Sequence, residues 1–199
     1  MQDEYDDDGK LVRALITGER AAFEHAFRKH NSALVRLAAG IVQSRAAAEE
    51  VAQETWVAVL RNIRGFEGRA SLAGWIFAIL VNKARTRAKR DGRWVSFDDG
   101  AAENSLAAAF DGRGQWKDLP SLWEEVTPER IIAGRSIMAH VSAVIETLPA
   151  GQRAVLVLRA QEGLAASEVC EILGISEGNM RVLLHRARLT VRAALDELL

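Results

Sequence analysis

Three groups of side chains in this sequence have types and spacings that could do chemistry, and in each the chemistry is binding. The first is a row of cations. Asn82, Lys83, Thr86, Lys89 and Arg90 fall on one side of a helix predicted from Leu72 to about Arg90, flanked by Arg85 and Arg87. Phe77, Val81, Ala84 and Ala88 continue its apolar side at spacings of four, three and four. From Arg61 to Arg90 there are eight bases against one acid, Glu67. A helix C-terminus favours a cation or two in its last turn; a whole row points instead to a polyanion such as nucleic acid. In the second group, Arg181, His185, Arg188 and Arg192 run beside the apolar stripe Met180, Leu184, Ala187, Val191 and Leu195. One stripe can pack while the other faces phosphates. The third group is acidic: Glu49, Glu50, Gln53 and Glu54 share a helical surface. Acids early in a helix complement its dipole, and the same face could dock a partner; spacing alone leaves both open.

No nucleophile–base set and no glycine-rich phosphate loop is present. One cysteine, Cys170, and four scattered histidines give no zinc-ligand spacing. Catalysis, a metal and a cofactor are therefore not expected. Cys170 reads as a small core residue, and His25, His30 and His140 as surface or packing residues.

The elements that must position these groups read as helix nearly throughout. The 199 residues are 49% hydrophobic and 27% charged, which argues against wholesale disorder. Runs of β-branched residues with period two are absent, and only Pro120, Pro128 and Pro149 interrupt the chain. Phe23 and Phe27 predict a helix ending near His30, followed by a stripe at Leu34, Leu37, Ala38 and Ile41 and another from Ala48 to Ile63. Ser71 is a good N-cap after the break at Gly65–Gly68. Near the end, Gly163 to Leu199 reads as helix, tight turn, helix, with Gly174 free to turn left-handed and Ser176 able to cap. That is the layout of a helix-turn-helix, although an ordinary helical bundle shares it.

A formal net charge of −1 conceals strong asymmetry. Residues 1–9 carry five acids and no base, and residues 10–90 carry 15 bases against 6 acids. Residues 91–129 carry 3 bases against 9 acids, and the remainder is nearly balanced. The expected organisation is all-α: an acidic disordered tail at 1–9, a small helical domain at 10–94, an acidic linker at 95–128 and a second helical domain at 129–199. The acidic segments can compete with phosphates for the basic block, so the free chain should bind duplex DNA poorly. No apolar run approaches the ~20 residues of a membrane span, and the acidic start is unlike a signal peptide. The expected location is a reducing cytoplasm, without membrane insertion.

Taken in order, these segments resemble a bacterial sigma factor of the extracytoplasmic-function group, with its regions 2 and 4. Ala48 to Trp56 resembles the family's A-E-D-L-V-Q-E-V-F, with Glu50 for the usual Asp. Phe66 to Asn82 resembles F-R-G-R-S-S-F-x-x-W-L-x-x-I-A-x-N. Leu148-Pro149, Arg153 to Arg159, Gly163-Leu164, Glu168 to Met180 and His185 to Arg188 resemble L-P, R-x-V-x-x-L-R, G-L, E-I-A-x-x-L-G-I-S-E-G-T-V and H-R-A-R.

The resemblance implies roles. Glu50, Gln53 and Glu54 would dock on core RNA polymerase. Gly68, Arg69 and Ser71 in the loop, with Asn82, would hold a flipped-out base of the promoter minus-ten element, and Lys83, Thr86, Arg87 and Arg90 the phosphates of the melted strand. Gly178, Asn179, Arg181, His185, Arg186 and Arg188 would read the minus-thirty-five element. An anti-sigma factor is an expected partner, and a stress or envelope regulon an expected target. Three positions depart from the pattern. Leu183 stands where a basic residue is frequent, implying a missing DNA contact, and Val182 where a serine is common. Ala165 replaces a capping Ser or Thr, which should weaken that helix start by ~1 kcal/mol. Two other readings are a sigma-like decoy, which should have lost the basic face at 82–90, and a stand-alone helix-turn-helix regulator, which leaves 48–90 without a purpose.

Overall fold

A computed structural model describes Tyr5, residues 7–93, Val95, Phe97 and residues 139–196, and among them it is helical without strands. The helices are α1 (Asp8–Thr17), α2 (Arg20–Val42), α3 (Arg45–Asn62), α4 (Leu72–Arg90), α5 (residues 139–147), α6 (Ala150–Leu156), α7 (Ala166–Leu173) and α8 (Glu177–Asp196). A 3-10 turn at Ile63–Gly65 follows α3, and a π turn at Val157–Gln161 extends α6. The expected all-α class, with two blocks of helices, is what the structure shows. Apart from Val95 and Phe97, the expected linker lies outside the described residues, as does most of the acidic tail.

Local chemistry sets the helix starts. Asp7, Ser44, Ser71 and Ser176 each accept a hydrogen bond from the amide three residues on, at 2.8, 3.4, 3.0 and 3.1 Å, which satisfies one orphan donor per helix. The tail boundary therefore moves: Asp7 caps α1, and Asp8 Oδ2 accepts from the Leu72 amide at 2.9 Å, tying α1 to the start of α4. The break expected near His30 does not occur. Asn31 and Ser32 interrupt no hydrogen bonding, and Asn31 Oδ1 instead accepts from Trp56 Nε1 at 3.0 Å, so α2 continues through to Val42.

The two blocks do not keep separate cores. One apolar cluster runs from Leu34, Leu37, Ile76, Phe77 and Leu80 through Val155, Leu158, Val169 and Leu173. The reason lies in the second block: α6 has 7 residues and α7 has 8, and helices so short cannot enclose their own apolar faces. They bury them against α2 and α4. Each Leu, Ile or Phe so buried stabilises the assembly by roughly 1.5–3 kcal/mol. A smaller cluster, Leu148, Leu156 and Ala187, lies within the second block.

Polar contacts cross the same boundary. His30, expected to be a surface or packing residue, is buried with its Nδ1 2.5 Å from Glu162 Oε2, itself buried. Arg36 Nη1 donates to Gln161 Oε1 at 2.5 Å. Gln161 and Glu162 sit at and just past the π turn, the kind of local irregularity often found where a helix serves a special contact. Among the described residues, no helix is long and apolar enough to cross a membrane.

Candidate nucleic-acid interface

The cation row and the acid cluster meet on the α3–α4 face. Glu50 and Glu54 project from α3 toward α4, where Arg87 Nη1 donates to Glu50 Oε2 at 3.0 Å and Lys83 Nζ lies 3.5 Å from Glu54 Oε2. Arg87 also reaches Asp91 at 3.4 Å. The Glu50 hydrogen bond, with the charges of Asp91 and Glu50, raises the Arg87 pKa above its ordinary value. Glu54, Asn82, Lys83, Thr86, Arg87 and Arg90 line a hollow of about 340 Å³ with Val51 beneath them. Asn82, Thr86, Lys89 and Arg90 are exposed, as is Gln53. Val57, one turn beyond Gln53 and Glu54, is 47% exposed; as an ordinary apolar position it had no signal in the sequence.

Arg85 departs from this row. Its Nη2 donates to the Leu173 carbonyl at the end of α7 at 2.6 Å, and its guanidinium lies 5.0 Å from the Phe97 ring centre. Burial pushes its pKa down.

The loop before α4 is exposed at Gly68 and Arg69, and Gly68 takes the left-handed conformation that the turn requires (φ 70°). Phe66 and Trp75 brace it, with ring centres 5.3 Å apart, and Arg69 pairs with Glu67 at 2.8 Å. Ser71 has a partner from the other block. Its amide and hydroxyl donate to Glu168 Oε1 at 2.9 and 2.7 Å. The other Glu168 oxygen accepts from the Ala165 amide at 3.1 Å, which is one half of a capping box; the other half, a side-chain acceptor at 165 for the Glu168 amide, is what alanine lacks. Burial raises the Glu168 pKa, but hydrogen bonds from the Ser71 hydroxyl, the Ser71 amide and the Ala165 amide outweigh it and hold the carboxyl below its ordinary value.

The helix-turn-helix is α7, a turn at Gly174 (φ 64°) and α8. Of the expected readers, Arg181 is exposed and paired with Glu177 at 3.3 Å, while Gly178, Arg186 and Arg188 are half-buried. Asn179 and His185, expected among the minus-thirty-five readers, are buried in this structure. Asn179 Nδ2 donates to the Phe97 carbonyl at 3.3 Å, and His185 sits inside the α8 packing surface at 5% exposure. Leu183 is fully buried and Val182 nearly so; at Leu183 the missing cation is a core side chain packed near Gly151. Cys170 is only half-buried.

Burial, with the charge of Arg188, holds the His185 pKa below its ordinary 6.5. The unfolded chain takes up that proton first, so stability is full above pH 6.5 and falls as the pH drops through 6.5 toward the lower folded value. Urea melts of the wild type and His185→Gln should therefore diverge in slope across this window. Parallel pH profiles would remove His185 as the cause.

Comparison with known proteins accords with this layout. Residues 26–94 match sigma-70 region 2, and residues 140–191 match sigma-70 region 4. The RNA polymerase sigma-H factor of Pseudomonas aeruginosa is 30% identical over 192 residues, 96% of this chain and 95% of that protein. The ECF RNA polymerase sigma-E factor of Haemophilus influenzae is 27% identical, covering 91% of each chain. A solved structure of the sigma factor RpoE with the anti-sigma factor NepR, from Bartonella quintana, shares the fold with a TM-score of 0.53 at 21% identity, over 87% of this chain and 96% of that one. The chain belongs to the sigma-70 family, as a sigma factor of the extracytoplasmic-function group serving transcription initiation.

Proposed function

We propose that this sigma factor docks on bacterial core RNA polymerase through Glu50, Gln53 and Glu54, and directs promoter recognition and melting for a stress or envelope regulon in the cytoplasm. The observation that carries this reading is the α3–α4 face, where Glu50 pairs with Arg87 and Glu54 lines one hollow with Asn82, Lys83, Thr86, Arg87 and Arg90. A strand opened beside the polymerase would meet these cations at once. Gly68, Arg69 and Ser71 would select one base, and Gly178, Arg181, Arg186 and Arg188, with Asn179 and His185 once released, would engage the minus-thirty-five duplex. The RpoE–NepR complex supports an anti-sigma factor as a further partner. Full-length protein added to core polymerase should yield promoter-specific transcripts from a genomic library; none beyond those of core alone would overturn the reading.

The division of labour has its own test. Replacing Lys83 and Arg90 by alanine should weaken binding of the holoenzyme to all promoter sequences alike, lowering the salt slope by ~0.7 per lost single-strand phosphate contact. Replacing Arg69 should change the preferred base with little change in that slope. The opposite pattern would reverse the assignment.

A further inference from the structure

We infer that the free chain blocks its own promoter readers, with the Glu168 carboxylate occupying the donors of the minus-ten loop and the Phe97 carbonyl holding Asn179. This rests on the proposed assignment of the loop and of Asn179 as DNA readers.

The start of α4 is filled from within. Glu168 Oε1 takes both the Ser71 amide and the Ser71 hydroxyl, and Asp8 Oδ2 takes the Leu72 amide. Helix starts attract anions through such free amides, and here two carboxylates already hold them. Two donors converging on one oxygen would equally suit the carbonyl oxygen of a base, so DNA must displace Glu168 to use them. Gly74 makes room for this contact: a Cβ there would stand 2.7 Å from Glu168 Oε1. On the other reader, Asn179 is 9% exposed and turned toward Phe97, itself 2% exposed. Arg85, which flanks the cation row, is turned onto α7. The His30–Glu162 and Arg36–Gln161 contacts and the shared apolar cluster hold the blocks in this register. Polymerase that seats the two blocks apart would release all three side chains together.

Two full-length variants separate the blocking contact from its surroundings. Glu168→Ala combined with Ala165→Ser removes the carboxylate and returns a cap to α7. Gly74→Ala leaves Glu168 in place but fills its room, and alanine favours helix. Amide exchange at Ser71 reports the contact, because this amide precedes the first turn of α4 and its partner is Glu168. A short random-sequence single-stranded DNA pool reports the loop. Ser71 exchange should accelerate in both variants. With the unblocked form at about a tenth of the free chain or less, the variants should bind the pool at least about tenfold tighter than wild type. That difference should vanish once each chain is bound to core polymerase. An unprotected Ser71 amide in wild type, or equal DNA affinities for all free chains, would overturn the self-block. Absence of binding to the pool by every chain, with and without polymerase, would overturn the loop assignment instead.

Discussion

Charge reversal at Glu50 and Glu54 is expected to lower affinity for core polymerase by a hundredfold or more and to abolish promoter-specific transcription, with helical content unchanged. Removing one side of a close interfacial charge pair commonly costs ~2–5 kcal/mol, about 30- to several-thousandfold, and this variant removes two. The structure adds a control. Lysine at 50 would face Arg87, and lysine at 54 would face Lys83, so part of any loss could come from repulsion within the sigma factor. Glu50→Gln with Glu54→Gln removes the charges without that repulsion and should retain most of the defect. Core affinity equal to wild type in the glutamine pair, measured by fluorescence anisotropy, would place the docking surface elsewhere.

The second large effect lies in the core. Phe77 is fully buried, and its ring meets the His30 imidazole edge to face with centres 6.2 Å apart. Phe77→Ala should cost ~3–5 kcal/mol. Because His30 carries the contact to Glu162, the cavity opens directly beneath the junction between blocks. Calorimetry of the wild type should show one transition for both blocks, and the variant should shift that whole transition down. Two resolved transitions, with only the earlier block displaced, would show that the shared cluster does not couple them.

Much of this molecule was legible along the sequence. The start of α4 at Ser71, the cation row behind it and the turn at Gly174 follow from capping, periodicity and glycine's freedom at positive φ. What escaped was tertiary. Asn179 and His185 carry polar side chains on a basic-looking helix, and only the packing against Phe97 and within α8 buries them. Leu183 looked like a lost DNA contact because its position was compared with a family pattern; its neighbours in space make it core. Glu168 gave a partial signal, since a glutamate three residues after a cap position often reaches back to it. Its second oxygen found Ser71, 97 residues away, and no local pattern encodes such a distance. Two helical blocks can be read along the chain, but that α6 and α7 are too short to bury their apolar faces alone, and so share a cluster with α2 and α4, shows only in the packing.

The pairing of Glu50 with Arg87 and of Glu54 with Lys83 makes two surfaces reciprocal. In the free chain each acid is the counterion of a base, so a strand of phosphates must compete with the glutamates, and a basic docking partner must compete with Lys83 and Arg87. A ligand that engages the glutamates removes the competitor of the phosphates, and a bound strand removes the competitor of the docking partner. Linkage requires the two effects to be equal in size. Whichever partner arrives first, the second finds its charges already unpaired, so the order of assembly leaves the total affinity unchanged.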